Sequence, residues 1–360
     1  MAVLGRTSKR HFKIFWRNSQ MTNLTRKERM HRAVTYQDVD RIPTQINYTP
    51  GMGQKMAEHF NVAVADLPDF LDNHMVRVDM DFPGVLSDDG KVKFDWWGVG
   101  FDTKEEGYFA SVNPLAKNND LDSYPWPDPN DPNLLLSAEK TIKEKGDDYF
   151  ITPNFGFVLF ERAWTLRGFE QFFMDMATDP VFANELFDRI TDIQLQLIHR
   201  YIDLGVAGGY FGDDYGAQKN LLFSPRMWRK YIKPRLAKLF APFRERNMPV
   251  LMHSDGQIQK ILPDLVEIGL TTLNPVQPEV LDHNWLIENF QGKLAFYGGI
   301  STQTVLPYGT EDEVKTAVSA ATTTLSPNGT GMLVAPSHRM MTDIPVENVA
   351  AMLDAFKALA

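Results

Sequence analysis

Three residues at the ends of short apolar runs have the types and spacing to hold a metal ion: His253, Asp255 and His338. His253 and Asp255 stand two apart, so in an extended segment their side chains share a face. Two imidazoles and a carboxylate fill part of the shell of a divalent ion and leave positions open, as catalytic metal sites require. The same groups could instead work as a proton-transfer set. A pair of carboxylates, Asp213 and Asp214, closes another apolar run, GGYFGDD. Either could orient a substrate or move a proton, and either could simply cap a following helix. Asp255 carries the same structural alternative ahead of Gln257.

The chain has eight histidines. His31, His59, His74, His199 and His283 fall in helical or loop context and read as structural, and His11 lies in a basic tail. Only His253 and His338 fall at the ends of strand-like runs. There is no cysteine, which excludes disulfides, thiolate metal sites, iron–sulfur clusters and a cysteine nucleophile.

For these groups to converge, the runs that carry them must be parallel strands opening on one mouth. Strand-like runs are expected at 42–48 (IPTQINY), 149–154 (YFITPN), 208–213, 250–253, 271–274, 294–297 and 332–335, with one or two more within 75–101. Amphipathic helices separate them. Asp179-Pro180 caps one that Gly205 ends, and Ser224-Pro225 starts another that Pro234 should kink or break. Ile258 to Val266 forms a short helix that Gly269 stops. Thr310 with Glu313 has a capping-box spacing, and Pro345 opens the last helix.

Strand–helix alternation carried to the end of the chain implies a parallel sheet, and about eight strands favour a closed (β/α)8 TIM barrel. In such a barrel the strand ends carry the chemistry, bringing together Asp213, Asp214, His253, Asp255, Asn274, Gln277, His338 and, at the end of the 149–154 run, Asn154. Tyr48, Trp96, Trp97, Phe155 and Phe157 could wall an aromatic pocket, though aromatics at such places more often serve the core. We take Tyr48, Trp97, Asn154 and Gln277 as the candidate substrate-binding residues. Residues 104–140, rich in Pro, Asn and Asp, read as a long loop or small insertion able to cover the mouth. No Gly-x-Gly-x-x-Gly follows a strand and no phosphate loop is present, so a nucleotide site has no support.

The 360 residues hold 37 Lys and Arg against 46 Asp and Glu, a net charge of −9. That acidic balance argues against nucleic acid or an anionic membrane as main partner. No run of about 18 apolar residues exists to span a membrane. Residues 1–27 contain no acid and interleave bases with Phe12, Ile14, Phe15 and Trp16. They lack the apolar core of a secretory signal. Residues 1–24 are expected to be a basic, disordered extension, followed by a helical segment and one barrel over 25–360, in a cytoplasmic protein.

Six segments carry a resemblance over Thr25 to Leu359: RKERMHRAVTYQDVDRIP, LFERAWTLRGFEQFFMDMATDP, YFGDDYGAQKNLLFSPRMWRKYIKPRLAKLF, LMHSDGQIQKILPDLVEIGLTTLNPVQP, YGGISTQTVLPYGTEDEV and APSHRMMTDIPVENVAAM. The chain resembles the uroporphyrinogen decarboxylase superfamily, which implies a (β/α)8 barrel. True uroporphyrinogen decarboxylases carry an arginine-bearing Met-Arg-Gln-Ala-Gly-Arg motif that grips substrate carboxylates. The corresponding stretch here, TQINYTPGMGQKM, has no arginine.

The chain is more similar to the branch containing corrinoid-dependent methyltransferases. Those acting on coenzyme M bind zinc through a His-x-Cys pair and a distant cysteine. His253 matches the histidine, Asp255 stands at the first cysteine position and His338 at the second. Replacing two thiolates by a carboxylate and an imidazole removes one negative charge, so a bound ion is a stronger Lewis acid. Such a site suits polarising an oxygen better than holding a reactive thiolate. The resemblance therefore implies demethylation of a methoxylated compound, with zinc or another divalent metal and a corrinoid on a partner protein as methyl acceptor. Decarboxylation without metal, centred on Asp213 or Asp214, and a non-catalytic binding barrel are the alternatives. Relatives that pair their barrel mouths suggest a homodimer.

Overall fold

The computed structural model describes residues 23–104 and 110–359. The basic extension expected over 1–24 lies, except for its last two residues, outside the described residues. Strand β1 (Met75–Val78) is followed by four short strands, β2 (Val85–Leu86), β3 (Val92–Phe94), β4 (Gly100–Asp102) and β5 (Ala110–Val112). Six more follow: β6 (Phe150–Phe155), β7 (Gly209–Gly212), β8 (Val250–His253), β9 (Thr272–Val276), β10 (Ala295–Ile300) and β11 (Met332–Pro336). A curled parallel sheet runs β1-β6-β7-β8-β9-β10-β11, and β2 to β5 form a separate antiparallel sheet.

Alternation along the strands divides the apolar residues into two cores. Leu251, Tyr210, Leu333 and Ala335 join Met75, Phe150, Ala295 and Tyr297 on the inner face. Their neighbours Val250, Met252, Phe211, Met332 and Val334 face the helices, the separation that a period of two demands. The helix Arg26–Val34 adds Met30 and Val34 to the inner cluster. Arg29 fixes that helix to the loop after it, its Nε 2.6 Å from Asp40 Oδ1.

The run expected as a strand at 42–48 makes only single bridges, Thr44 to Asn73 and to Val334, and Tyr48 to Met340. It therefore touches both edges of the parallel sheet without a continuous ladder. The expected helices stand where their punctuation puts them, except that the one expected from Ile258 begins only at Leu262 and runs to Ile268 before Gly269. Asp179 accepts from the Phe182 N–H at the start of Pro180–Asp203. Ser224 caps Pro225–Tyr231, and the chain breaks at Ile232, just before Pro234, into Lys233–Arg244. Thr310 and Glu313 form the capping box of Glu311–Leu325.

The cover over the mouth overlaps the stretch expected to form it only at β5. The residues over the mouth come from the β2–β5 sheet, whose Lys93 to Trp97 and Phe101 line the cavity beneath, while no described residue of 104–140 does. Of that stretch, β5 is the last strand of this sheet; the residues after it run as turns, where the Arg167 guanidinium donates to Leu115 O at 2.6 Å, and then enter the helix Leu136–Lys145.

Candidate active site

Parallel register sets Gly212, His253 and Asn274 side by side on β7, β8 and β9. His253 follows inward-facing Leu251 by two residues and so points into the mouth. Its Nδ1 lies 2.8 Å from Asn274 Oδ1. Asn274 Nδ2 donates to Tyr297 O at 3.1 Å, and the Tyr210 hydroxyl donates to Asn274 Oδ1 at 2.8 Å. The amide oxygen therefore faces the ring, Nδ1 carries the proton, and the Nε2 lone pair is left for the cavity.

His253 Nε2 is 3.6 Å from Asp255 Oδ1, and His338 Nε2 is 3.8 Å from Asp255 Oδ2. One donor atom from each of the three residues lies within 4.8 Å of the others. Four-coordinate ligands at zinc-type bond lengths sit about 3.4 Å apart, so small side-chain adjustments bring this set onto an ion. Burial holds the His338 pKa below that of a free imidazole, against the opposing pull of Asp255, which favours the neutral ligand form.

The loop that aims Asp255 is fixed by backbone crossing. Gly256 has φ +80° and a Cβ there would stand 2.5 Å from Gly216 C; one on Gly216 would stand 2.6 Å from Asp255 O. Only glycines allow the loops after β7 and β8 to cross this closely. Asp255 is not a helix cap, since the next helix starts at Leu262. Its own N–H donates to Asp214 Oδ1 at 2.8 Å.

Asp213 and Asp214, adjacent in sequence, face opposite ways. Asp214 lines the cavity. Asp213 is fully buried outside it, accepting from the Phe160 N–H (2.8 Å), the Glu161 N–H (2.7 Å) and the Tyr215 hydroxyl (2.8 Å). This corrects the expectation of a catalytic Asp213: it caps the helix Phe160–Arg167, which precedes it in the chain and has no cap of its own. Burial pushes its pKa up to about 7 despite these bonds.

A cavity of about 910 Å³ opens above the cluster. Trp97, Asn154, Trp96, Phe155 and Phe157 line it. Asn154 Nδ2 donates to Asp79 Oδ1 at 2.8 Å. Tyr48 and Gln277 are placed outside the lining. Tyr48 packs over Gly53 of the helix Pro50–Phe60, and Gln277 is buried beside the Gly256 N–H.

Glu161 has no role in the sequence reading, yet it lines the cavity. Its Oε2 accepts the Asp214 N–H at 3.1 Å. Burial first, and then Asp214 and Asp213, push its pKa well above the ordinary carboxyl range; Asp214 is raised too, mainly by burial. The neighbouring Arg162 is stacked 5.2 Å from the Trp97 ring and holds Asp95 at 2.6 Å. Glu161 lies in LFERAWTLRGFEQFFMDMATDP, a segment that carries the resemblance, but a helix start after an aromatic run gives no sign of chemistry, and its place on the cavity wall follows from packing.

The uroporphyrinogen decarboxylase (URO-D) family model matches residues 25–359. Among solved structures, a methyltransferase from Methanosarcina mazei is similar with a TM-score of 0.68 at 20% identity, over 93% of this chain and 98% of that one. A B12-independent methionine synthase from Shewanella sp. W3-18-1, in complex with selenomethionine, gives 0.45 at 12% identity, over 62% of this chain and 64% of that one. No curated protein matches. On the family match across nearly its whole length, the chain belongs to the uroporphyrinogen decarboxylase family.

Proposed function

We propose that this protein is a metal-dependent methyltransferase that demethylates a methoxylated small molecule and passes the methyl group to a corrinoid held by a partner protein. The observation that carries the reading is the His253–Asp255–His338 cluster, two of whose members line the cavity, with His253 Nε2 presented by Asn274. The fold likeness to the Methanosarcina mazei methyltransferase supports it. In this reading residues 43–48, bridged to both sheet edges, complete a closed (β/α)8 barrel.

A divalent ion, zinc in the first instance, supplies a Lewis acid for the ether oxygen. His253, Asp255 and His338 are the residues that hold it, and Asp214 braces Asp255 through its N–H. The β2–β5 sheet and the aromatic walls exclude water from the reacting ether. When the methyl–oxygen bond breaks, the oxygen left behind takes a proton. Glu161 supplies it: burial favours its protonated form, Oε2 is engaged by the Asp214 N–H, and Oε1 has no hydrogen-bond partner among the described residues. A decarboxylase working through Asp213 is disfavoured by the burial of that residue outside the cavity.

The test is incubation of zinc-loaded protein with methoxylated compounds and cob(I)alamin, read by the appearance of methylcobalamin absorbance. Methyl transfer that disappears in His253→Ala and His338→Ala supports the reading. Equal rates in the wild type and both variants sink it.

A further inference from the structure

Two buried serines adjoin the candidate metal ligands. Ser254 stands between His253 and Asp255, and Ser337 directly precedes His338. Their exposures are 1% and 2%, and neither lines the cavity. In an extended run, a ligand that points into the mouth turns its neighbour the other way. Ser254 Oγ accepts the Tyr215 N–H of the loop after β7 at 3.1 Å, and the Ser254 N–H donates to Asn274 O on β9 at 2.8 Å. Between the same two loops the Asp255 N–H donates to Asp214 Oδ1 at 2.8 Å. One bond thus runs from the β7 loop to the β8 loop and one runs back, a two-bond clasp on the segment that carries His253 and Asp255.

Ser337 repeats the device at the edge of the sheet. Its N–H donates to Ile300 O on β10 at 2.7 Å. Its Oγ accepts the Thr302 N–H at 3.3 Å and lies 3.2 Å from the Thr302 hydroxyl. The His338 ring is the less firmly held of the two imidazoles. Its Nδ1 is 3.4 Å from Arg339 O, against the 2.8 Å bond from His253 Nδ1 to Asn274, and 42% of its side chain is exposed. Its place therefore depends on the backbone that Ser337 pins. Ligands on loose loops lose conformational freedom when they close on an ion, and that loss weakens binding; ligands held beforehand avoid it. We infer that Ser254 and Ser337 are positioning residues of the metal site, each fixing a loop that carries ligands. The inference rests on the metal reading above and adds two residues that act only through their neighbours.

The experiment measures zinc affinity, by competition against a chromogenic chelator, in full-length wild type, Ser254→Ala and Ser337→Ala. Ser326→Ala is the control. That serine is also buried, and its hydroxyl donates to Thr330 O at 2.9 Å, but it follows the helix Glu311–Leu325 and so lies at the opposite end of β11 from His338. Urea midpoints of chelator-stripped protein give the structural cost of each substitution. The zinc Kd should rise at least about fivefold in each site variant. It should stay within about twofold of wild type in Ser326→Ala, even where the loss in urea midpoint is the same. The two site serines lie on different loops, so either variant tests the inference should the other fail to fold. A rise below fivefold in the folded site variants, or an equal rise in Ser326→Ala, would overturn the inference and leave the metal reading standing. A wild type that takes up no zinc would overturn both.

Discussion

The Nδ1 of His253 donates to the side-chain oxygen of Asn274 at 2.8 Å, and that one bond decides which ring nitrogen faces the cavity. Outer partners of this kind fix the tautomer and direction of a metal-binding imidazole. Asn274→Leu should therefore leave the chain folded but weaken zinc binding by about 10–100-fold. Competition against a chromogenic chelator measures this, and an unchanged zinc affinity would remove Asn274 from the account.

Asp213 predicts a different kind of loss. Truncating it leaves two helix N–H groups and the Tyr215 hydroxyl buried without their acceptor. Asp213→Ala should cost about 3 kcal/mol in urea denaturation, well above the cost of Asp214→Ala. Similar losses for the two variants would mean that the capping role is wrong.

Much of this arrangement was legible before the fold was known. His253, Asp255 and His338 were readable because strand ends are marked by apolar runs that stop abruptly at polar residues. Asp213 and Asp214 could not be told apart, since neighbouring residues at a strand end diverge and only packing decides which one faces the mouth. The run at 42–48 looked like a strand by composition but lacks a ladder, because its pairing is reduced to isolated bridges. Most of the cover over the mouth, β2 to β4, precedes the stretch 104–140 and was not legible for a related reason. Strands as short as β2 to β5 carry almost no periodic signal, whereas a stretch rich in Pro and Asp announces itself as a loop.

Glu161 gives a prediction about activity and its pH dependence. Its folded pKa lies above the ordinary carboxyl value, so the protonated form persists to higher pH than in a free carboxyl and is lost as the pH rises through the raised value. Demethylation should accordingly hold to higher pH than an ordinary carboxyl would allow and fall as the pH rises through the raised value. Glu161→Gln should lower kcat at least about tenfold while zinc content stays at the wild-type level. A variant with wild-type kcat and an unaltered alkaline limb would exclude Glu161 as proton donor.

The Arg29–Asp40 pair, well away from the cavity, predicts how stability responds to acid. Burial works to raise the Asp40 pKa, but the Arg29 guanidinium and the N–H groups of Leu24 and Arg41 outweigh it and hold the value at about 2. A depressed folded value means that the contribution is complete above the unfolded pKa of about 4 and is lost as pH falls from there toward 2. The gap in urea midpoint between wild type and Asp40→Asn should be constant from pH 7 to 5 and close between pH 4 and 2. A gap that widens in acid would reverse the sign of the argument.

The central claim is that His253, Asp255 and His338 hold one divalent ion. Elemental analysis of the purified protein, and of the His338→Ala variant beside it, tests this most directly. The account predicts close to one equivalent of metal per chain in the wild type and a loss of most of it in the variant. A wild type that carries no metal and takes up none when zinc is added, or a variant that retains a full equivalent, would contradict it.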